Sequence, residues 1–275
     1  MPPVKLSFGD VLSESFGFFF ANIRLFFHLV TVPWILSLVI RLIGSQMPRE
    51  SLIPVLAEKA IDIVPMVMFM VAWQRVVLLG PHRLDRLPGL GWSPRETAFL
   101  IHLLKIGGVT FLLLAAFILT MGEIDPTALT TGVPPDPETA AKQTLLAPLA
   151  SAFIVSALVA LRVSFGLAGT SVDEQGSPVL SWAYSRGNGW VVVGVLFLIS
   201  FAGTMVTAAS VLVLLSVMRG VLGADFAAYV VTWTFALLVS YAGNGVMATA
   251  QAVIFRRLTG WREGVPLPAP VEKRA

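Results

Sequence analysis

Six long apolar stretches dominate this 275-residue chain and constrain what it can fold into. One of them, from Val191 to Met218, contains no ionisable side chain. A helix needs about 20 apolar residues to cross the hydrocarbon core of a bilayer, and each stretch supplies enough of them. The sequence therefore predicts an all-α polytopic membrane protein with six transmembrane helices. We place these helices at residues 25–44, 60–79, 101–121, 145–168, 191–218 and 226–255.

The composition excludes a soluble fold. The mean hydropathy is +0.82, and only 13% of the residues are charged, against about 25% in soluble domains. The loops left between six spans are too short to bury a core of their own. We therefore expect a single integral membrane domain over residues 1–262, followed by a short disordered cytoplasmic tail over 263–275. Because the chain has no cysteine, disulfides and cysteine-ligated metals are excluded.

Basic residues are distributed unevenly between the two sides of the predicted spans. With the N-terminus in the cytoplasm, only five of the 19 lysines and arginines fall on the outer side: Arg41, Arg49, Lys59, Lys142 and Arg219. The positive-inside rule then places both termini in the cytoplasm. We expect a multi-pass protein of the cell inner (plasma) membrane.

An internal repeat organises the predicted spans. The motif Ser15–Phe18 followed by Asn22 matches the motif Ser181–Tyr184 followed by Asn188 at a constant offset of 166 residues. Near the midpoint, the segment Ser93–Glu96 predicts a helix start with a capping box. The chain is therefore predicted to contain three pseudo-repeats, at about 7–80, 93–168 and 177–258. Each would consist of an amphipathic inner-face helix and a two-span hairpin.

Asn22 and Asn188 occupy equivalent helix junctions in the first and third pseudo-repeats. Each lies where an interfacial helix must bend into the membrane. A short polar side chain at such a bend can satisfy backbone groups that the bend frees. The alternative, that asparagine is simply tolerated at a helix junction, stays open.

Three motifs carry a family resemblance. They are Leu6–Gly17 with the later Asn22, Trp73-Gln74-Arg75 continuing into Leu78-Leu79-Gly80, and Ser181-Trp182 with Arg186-Gly187-Asn188. In these motifs the chain resembles the YciC-like bacterial inner-membrane proteins and the membrane domain fused to some glycerophosphodiester phosphodiesterases. The resemblance covers most of the chain and implies a six-helix membrane unit. It implies no catalytic residue, because that unit is not itself known to be catalytic.

Arginines recur near the inner ends of the predicted even-numbered spans, at Arg75, Arg162 and Arg256. Their long side chains can reach the lipid headgroups, and this snorkelling is the simpler interpretation. The alternative is that the three arginines converge, joined by Arg83, Arg86 and Arg186, into a headgroup site for anionic lipids.

The sequence Gly243-Asn244-Gly245 is the strongest irregularity within a predicted span. The glycines allow close helix approach, and the Asn244 amide can hydrogen-bond across a helix interface, which is the interpretation we favour. The alternative is a helix that unwinds here and exposes its carbonyl groups to a transported solute.

Motifs for catalysis and metal binding are absent from the sequence. It contains no nucleophile elbow, His-Glu-x-x-His motif or phosphate-binding loop. His28, His82 and His102 have no carboxylate or cysteine companions, while Asp62 and Lys59 are expected to form an outer-rim pair or a solvated cap. We therefore predict no enzyme activity, no cofactor and no nucleic-acid partner.

Together these patterns favour a non-catalytic function. The leading interpretation is a scaffold or envelope-homeostasis component that binds membrane lipids, a membrane protein partner or further copies of itself. The alternative is a small-solute or lipid transporter that uses a broken sixth helix. An intramembrane lipid-modifying enzyme would need a cluster of polar side chains, and the sequence does not show one.

Overall fold

The computed structural model describes residues 5–46, 52–81, 91–121, 137–174, 176–222, 225–265 and 267. Regular structure in these ranges is helical, apart from one isolated bridge between Arg262 and Val265. The helices are α1 (Phe8–Ala21), α2 (Ile23–Ser45), α3 (Leu52–Leu79), α4 (Pro94–Met121), α5 (Pro137–Ser164), α6 (Leu167–Ser171), α7 (Pro178–Tyr184), α8 (Gly189–Leu222) and α9 (Asp225–Thr259). The predicted all-α polytopic membrane fold is confirmed.

Five of these helices are long and apolar enough to cross a bilayer: α2, α3, α4, α8 and α9. The remaining predicted span lies in α5, whose apolar part is described from Pro148 to Ser164. At about 1.5 Å per residue, the whole of α5 could also cross the bilayer, but its role as a sixth span stays a prediction. The helix ends at Ser164 rather than at the predicted residue 168, because a turn at Phe165 and Gly166 separates it from α6.

The long helices pack as three consecutive hairpins, α2 with α3, α4 with α5, and α8 with α9. Helix α9 also contacts α1, α2, α3 and α6, which places it at the centre of the bundle. Its segment Ala248–Phe255 is almost wholly buried. The buried core lies where this segment meets the second half of α3.

Short helices precede the first and third hairpins, as the repeat predicts. Ser7 caps α1 by accepting a hydrogen bond from the Asp10 amide, and Ser177 caps α7 in the same way from the Val179 amide. After these helices the chain turns at Asn22 and at Gly187-Asn188, where Gly187 has a positive φ of 82°.

The middle segment differs from its two neighbours. Ser93 and Glu96 form the predicted capping box, with the Ser93 amide 2.8 Å from the Glu96 carboxylate. However, α4 continues without a break from Pro94 to Met121. The prediction of a separate inner-face helix in this segment is therefore wrong. At the corresponding position, 15 residues after the capping serine, the sequence has Gly107-Gly108, and the helix runs through these glycines.

Helix α6 packs closely against its neighbours. All of its residues are buried. A Cβ atom added at Gly166 would lie 2.0 Å from Ser181 Oγ, and one at Gly169 would lie 2.9 Å from the Phe255 ring. Glycine at both positions thus allows α6 to contact α7 and α9.

The predicted disordered tail falls mostly outside the described residues. The part that is described begins with a turn closed by the bridge between Arg262 and Val265. Leu267 packs against the hydrophobic core. Residues 268–275, which make up most of the predicted tail, lie outside the described residues.

Candidate functional site

One end of the bundle, here called the basic end, carries the helix ends that bear Arg75, Arg162 and Arg256. The short helices α1, α6 and α7 also lie at this end, since hydrogen bonds link them to these helix ends. Arg95, at the start of α4, belongs to the same end through its contact with Asp173. The structure thus gathers Arg75, Arg162 and Arg256 at one end but surrounds each with different partners. Arg83 and Arg86 lie outside the described residues.

Arg75 binds the segment that ends α6. It donates a hydrogen bond to the Ser171 carbonyl at 3.1 Å and lies 3.9 Å from the Asp173 carboxylate. Arg95 donates two hydrogen bonds to the same carboxylate, at 2.8 and 2.7 Å. The hydrogen bonding from Arg95 is the largest influence that holds the pKa of Asp173 below its ordinary value, while partial burial opposes this shift. Arg75 is therefore engaged within the protein.

We expect the Asp173 ion pairs to stabilise α6 at neutral pH but not in acid. A carboxyl group whose pKa is lowered by folding contributes stability above its unfolded pKa of about 3.9, and this contribution is lost as the pH falls through the folded value. Because the side chain is 62% exposed, the expected contribution is only about 0.5 kcal/mol.

Asp173→Asn is the matched variant for this expectation. Asp173 has a positive φ of 64°, and asparagine tolerates that conformation well. Denaturation in mixed micelles from pH 7 to pH 3 should show that the free energy of unfolding falls with acid, and that it falls less in the variant. If the two proteins lose stability in parallel, Asp173 does not stabilise α6 through its charge.

Arg256 is also engaged, through a contact with the first helix. The Glu14 carboxylate of α1 accepts a hydrogen bond from Arg256 at 2.5 Å and another from Arg257. These ion pairs hold the amphipathic helix α1 against the end of α9. The Glu14 carboxylate thus partly neutralises the positive charges of Arg256 and Arg257.

The two junction asparagines lie at helix starts, but they bind different groups. Asn22 donates from Nδ2 to the Phe18 carbonyl at 2.8 Å, one turn back in α1. Asn188 is buried, and its side-chain oxygen accepts a hydrogen bond from the Leu6 amide at 2.8 Å. Asn22 therefore closes the bend into α2, whereas Asn188 joins the start of α8 to the segment before α1.

Arg162 and Arg186 form a different kind of arrangement. The Arg162 guanidinium lies 3.6 Å from the centroid of the Trp182 ring, and its Nε donates to Ser185 Oγ at 3.0 Å. Arg186 is exposed and within electrostatic range of Arg162. Neither arginine forms an ion pair with an acidic residue in the part of the chain that the structure describes.

Two apolar grooves meet beside this arginine pair. The first groove lies between α4, α5 and α7, has a volume of about 860 Å³, and is lined among others by Lys105, Ile106, Ser156, Val159, Trp182 and Arg186. The second groove lies between α5, α7 and α8, has a volume of about 500 Å³, and is lined among others by Val155, Leu158, Arg162, Trp182 and Trp190. Both grooves therefore combine apolar walls with a positively charged end.

The mid-membrane Gly243-Asn244-Gly245 segment is helical, because α9 continues without interruption from Asp225 to Thr259. The broken sixth helix of the transporter alternative is therefore wrong. Instead, Gly243 meets Gly203 of α8, with a Cβ added at Gly203 only 3.7 Å from the Gly243 Cα. Gly245 faces the Phe19 ring of α1. Asn244 lines a shallow groove of about 560 Å³ between α8 and α9.

Two polar contacts between helices were not predicted from the sequence. Asp62 contacts Ser37 at 2.5 Å, and Ser37 lies 2.8 Å from the Tyr241 hydroxyl. The predicted pair of Asp62 with Lys59 does not form, since the ion pair of Lys59 is with Glu58. Residues far apart in the chain make these contacts, so local spacing gives no signal for them.

A set of hydrogen bonds between buried polar side chains was also not predicted from the sequence. Gln74 donates to the Gln251 side-chain oxygen at 2.9 Å, and Gln251 donates to Ser164 Oγ at 3.2 Å. His102 lies 2.9 Å from Thr170 Oγ1 and is likewise buried. These contacts join α3, α4, α5, α6 and α9, so we assign them to packing.

Comparisons with known proteins give no family assignment. No family model, curated protein or solved structure matches the chain. The similarity to the YciC-like group stays a prediction from its motifs. The assignment as an all-α polytopic membrane protein follows from the helices themselves.

Proposed function

We propose that this integral membrane protein is a non-catalytic scaffold that binds anionic phospholipid at its basic end. The headgroup site consists of Arg162, Arg186 and Lys105. Among the arginines considered from the sequence, Arg75 and Arg256 have acidic partners within the chain. They support the local structure and lie outside the proposed binding site.

The observation that carries the proposal is the pairing of Arg162 with Arg186. Two guanidinium groups within electrostatic range repel each other, and an anion beside both of them offsets that repulsion. No carboxylate of the described residues supplies that anion. A phosphate group matches the geometry of guanidinium donors and supplies the missing charge.

The surroundings favour a lipid phosphate over a soluble one. Trp182 and Trp190 are exposed beside the arginines, and tryptophan side chains are favoured at the depth of the headgroups. The adjoining groove walls are apolar, which suits acyl chains. The predicted cytoplasmic position of the basic end agrees with this proposal, because anionic lipids are concentrated in the cytoplasmic leaflet.

Removal of the arginine pair should remove most of the preference for anionic lipid. Each basic residue near an anionic membrane surface contributes about 1 kcal/mol, so Arg162→Gln with Arg186→Gln should weaken binding about 30-fold. Native mass spectrometry of the purified protein, titrated with phosphatidylglycerol and with phosphatidylcholine, measures this directly. The wild type should retain phosphatidylglycerol preferentially, and the double variant should keep only the small preference that Lys105 provides.

Two further variants test whether the effect is local. Arg186 is exposed, and its side chain forms no hydrogen bond or ion pair with the described residues, so Arg186→Gln alone should weaken phosphatidylglycerol binding about fivefold with the fold intact. Arg256→Gln removes one positive charge from the same end but should leave lipid preference unchanged, because Glu14 already binds that arginine. Equal losses in Arg186→Gln and Arg256→Gln would show that total charge, not this site, selects the lipid.

A further inference from the structure

Helix α5 separates the two grooves with an exposed ridge. Val155 and Val159 line both grooves, as does Trp182 of α7. The two valines are 60% and 43% exposed and lie four residues apart, on one face of the helix. Each groove therefore follows one side of the same ridge, and both reach the same tryptophan.

The flanks of α5 give each groove its own wall. Ala152, Ser156 and Ala160 line the first groove but not the second. Leu158 and Arg162 line the second groove but not the first. This division follows the helical period, since each set lies on its own side of the valine ridge.

Positive charge is present on both sides of the ridge. Lys105 and Arg186 line the first groove, and Arg162 lines the second. Arg162 lies over the Trp182 ring, which belongs to both grooves. A single phosphate beside Trp182 could therefore interact with Arg162 and Arg186 together while apolar chains extend into either groove.

From this arrangement we infer that the site selects a two-chain anionic phospholipid, with one acyl chain in each groove and the phosphate beside Trp182. The inference rests on the proposed lipid-binding function and specifies the ligand class. The chains gain little from leaving water, because they are in hydrocarbon in either state. Their contribution comes from van der Waals packing against the groove walls. A lipid with one chain would fill one groove and leave the other without these contacts.

The test compares phosphatidylglycerol with its single-chain lyso form, which has the same headgroup. Binding to the full-length protein is measured by native mass spectrometry in one detergent. We expect the two-chain lipid to bind about tenfold more tightly, which corresponds to 1.4 kcal/mol. Ala152→Trp should obstruct the first groove and reduce this ratio toward one, while binding of the lyso form persists. Because Ala152 is exposed, the variant should fold.

Val213→Trp is the matched control. Val213 is exposed on α8 and lines neither groove, so this variant should keep the wild-type ratio. Because the same two lipids are compared in every protein, their different partitioning into detergent micelles cancels between variants.

The possible outcomes separate the two proposals. If both lipids are preferred over phosphatidylcholine but Ala152→Trp leaves their ratio unchanged, the two-groove inference is overturned and the headgroup site stands. If phosphatidylglycerol and phosphatidylcholine bind equally to the wild type, the proposed preference for anionic phospholipid is itself overturned. A ratio that drops in Ala152→Trp but not in Val213→Trp supports the inference.

Discussion

Replacing Trp73 by alanine should lower the free energy of unfolding by about 3 kcal/mol, the low end of the range for such truncations. Trp73 is fully buried, and its ring contacts the rings of Phe18, Phe19, Phe26 and Phe69. The variant would leave a cavity where α1, α2 and α3 meet. We choose the low end because helices of a membrane protein stay in an apolar environment when they separate, so little transfer energy is lost.

Unfolding in mixed micelles of increasing denaturing detergent measures this effect. Trp190→Ala is the matched control, because that ring is 84% exposed and its loss opens no internal cavity. Thr249→Val separates the hydrogen bond of the Trp73 ring nitrogen, at 2.8 Å, from the packing of the ring. A loss in Trp73→Ala no larger than that in Trp190→Ala would show that the aromatic cluster is not the core we describe.

Gln251→Leu should have the second largest effect, a loss of about 2 kcal/mol. Gln251 is buried and accepts a hydrogen bond from Gln74, whose side chain is fully buried. The substitution would leave the Gln74 amide without its partner in an apolar interior. The cost of an unsatisfied buried donor exceeds the net gain of the hydrogen bond it replaces.

The double variant Gln74→Leu with Gln251→Leu distinguishes this explanation from simple loss of packing. Replacing both polar partners by apolar side chains of similar size can be nearly neutral. We therefore expect the double variant to be more stable than Gln251→Leu alone, and the double-mutant cycle gives the coupling between the two side chains. If the two losses simply add, Gln74 and Gln251 do not depend on each other.

The membrane fold could be predicted because apolar length alone distinguishes a spanning helix from a loop. The junctions of the first and third segments could also be predicted, since Asn22 and Gly187-Asn188 are local signals that interrupt a helix. The same reasoning failed for the middle segment. There the capping box at Ser93 marks where a helix begins but says nothing about how far it continues.

The sequence could not show which arginines at the basic end have acidic partners. Whether an arginine is free to bind a lipid depends on whether an acidic residue lies beside it in space. The partner of Arg256 is Glu14, 242 positions away in the chain. The partner of Arg75 and Arg95 is Asp173, which is brought to them by the turn at the end of α6. Arg162 and Arg186 were distinguished from these only by the folded contacts.

The contacts of α1 also have a consequence for how the protein is made. The partners of the α1 region, Asn188 and Arg256, are synthesised 182 and 242 residues after the groups they bind. At roughly 5 to 20 residues per second, α1 must therefore wait about 10 to 50 s for them on the ribosome. Its exposed face of Phe8, Phe16 and Phe20 suits a temporary position in the headgroup region. Helix α1 is thus made before α8 and α9 but reaches its final place only after them.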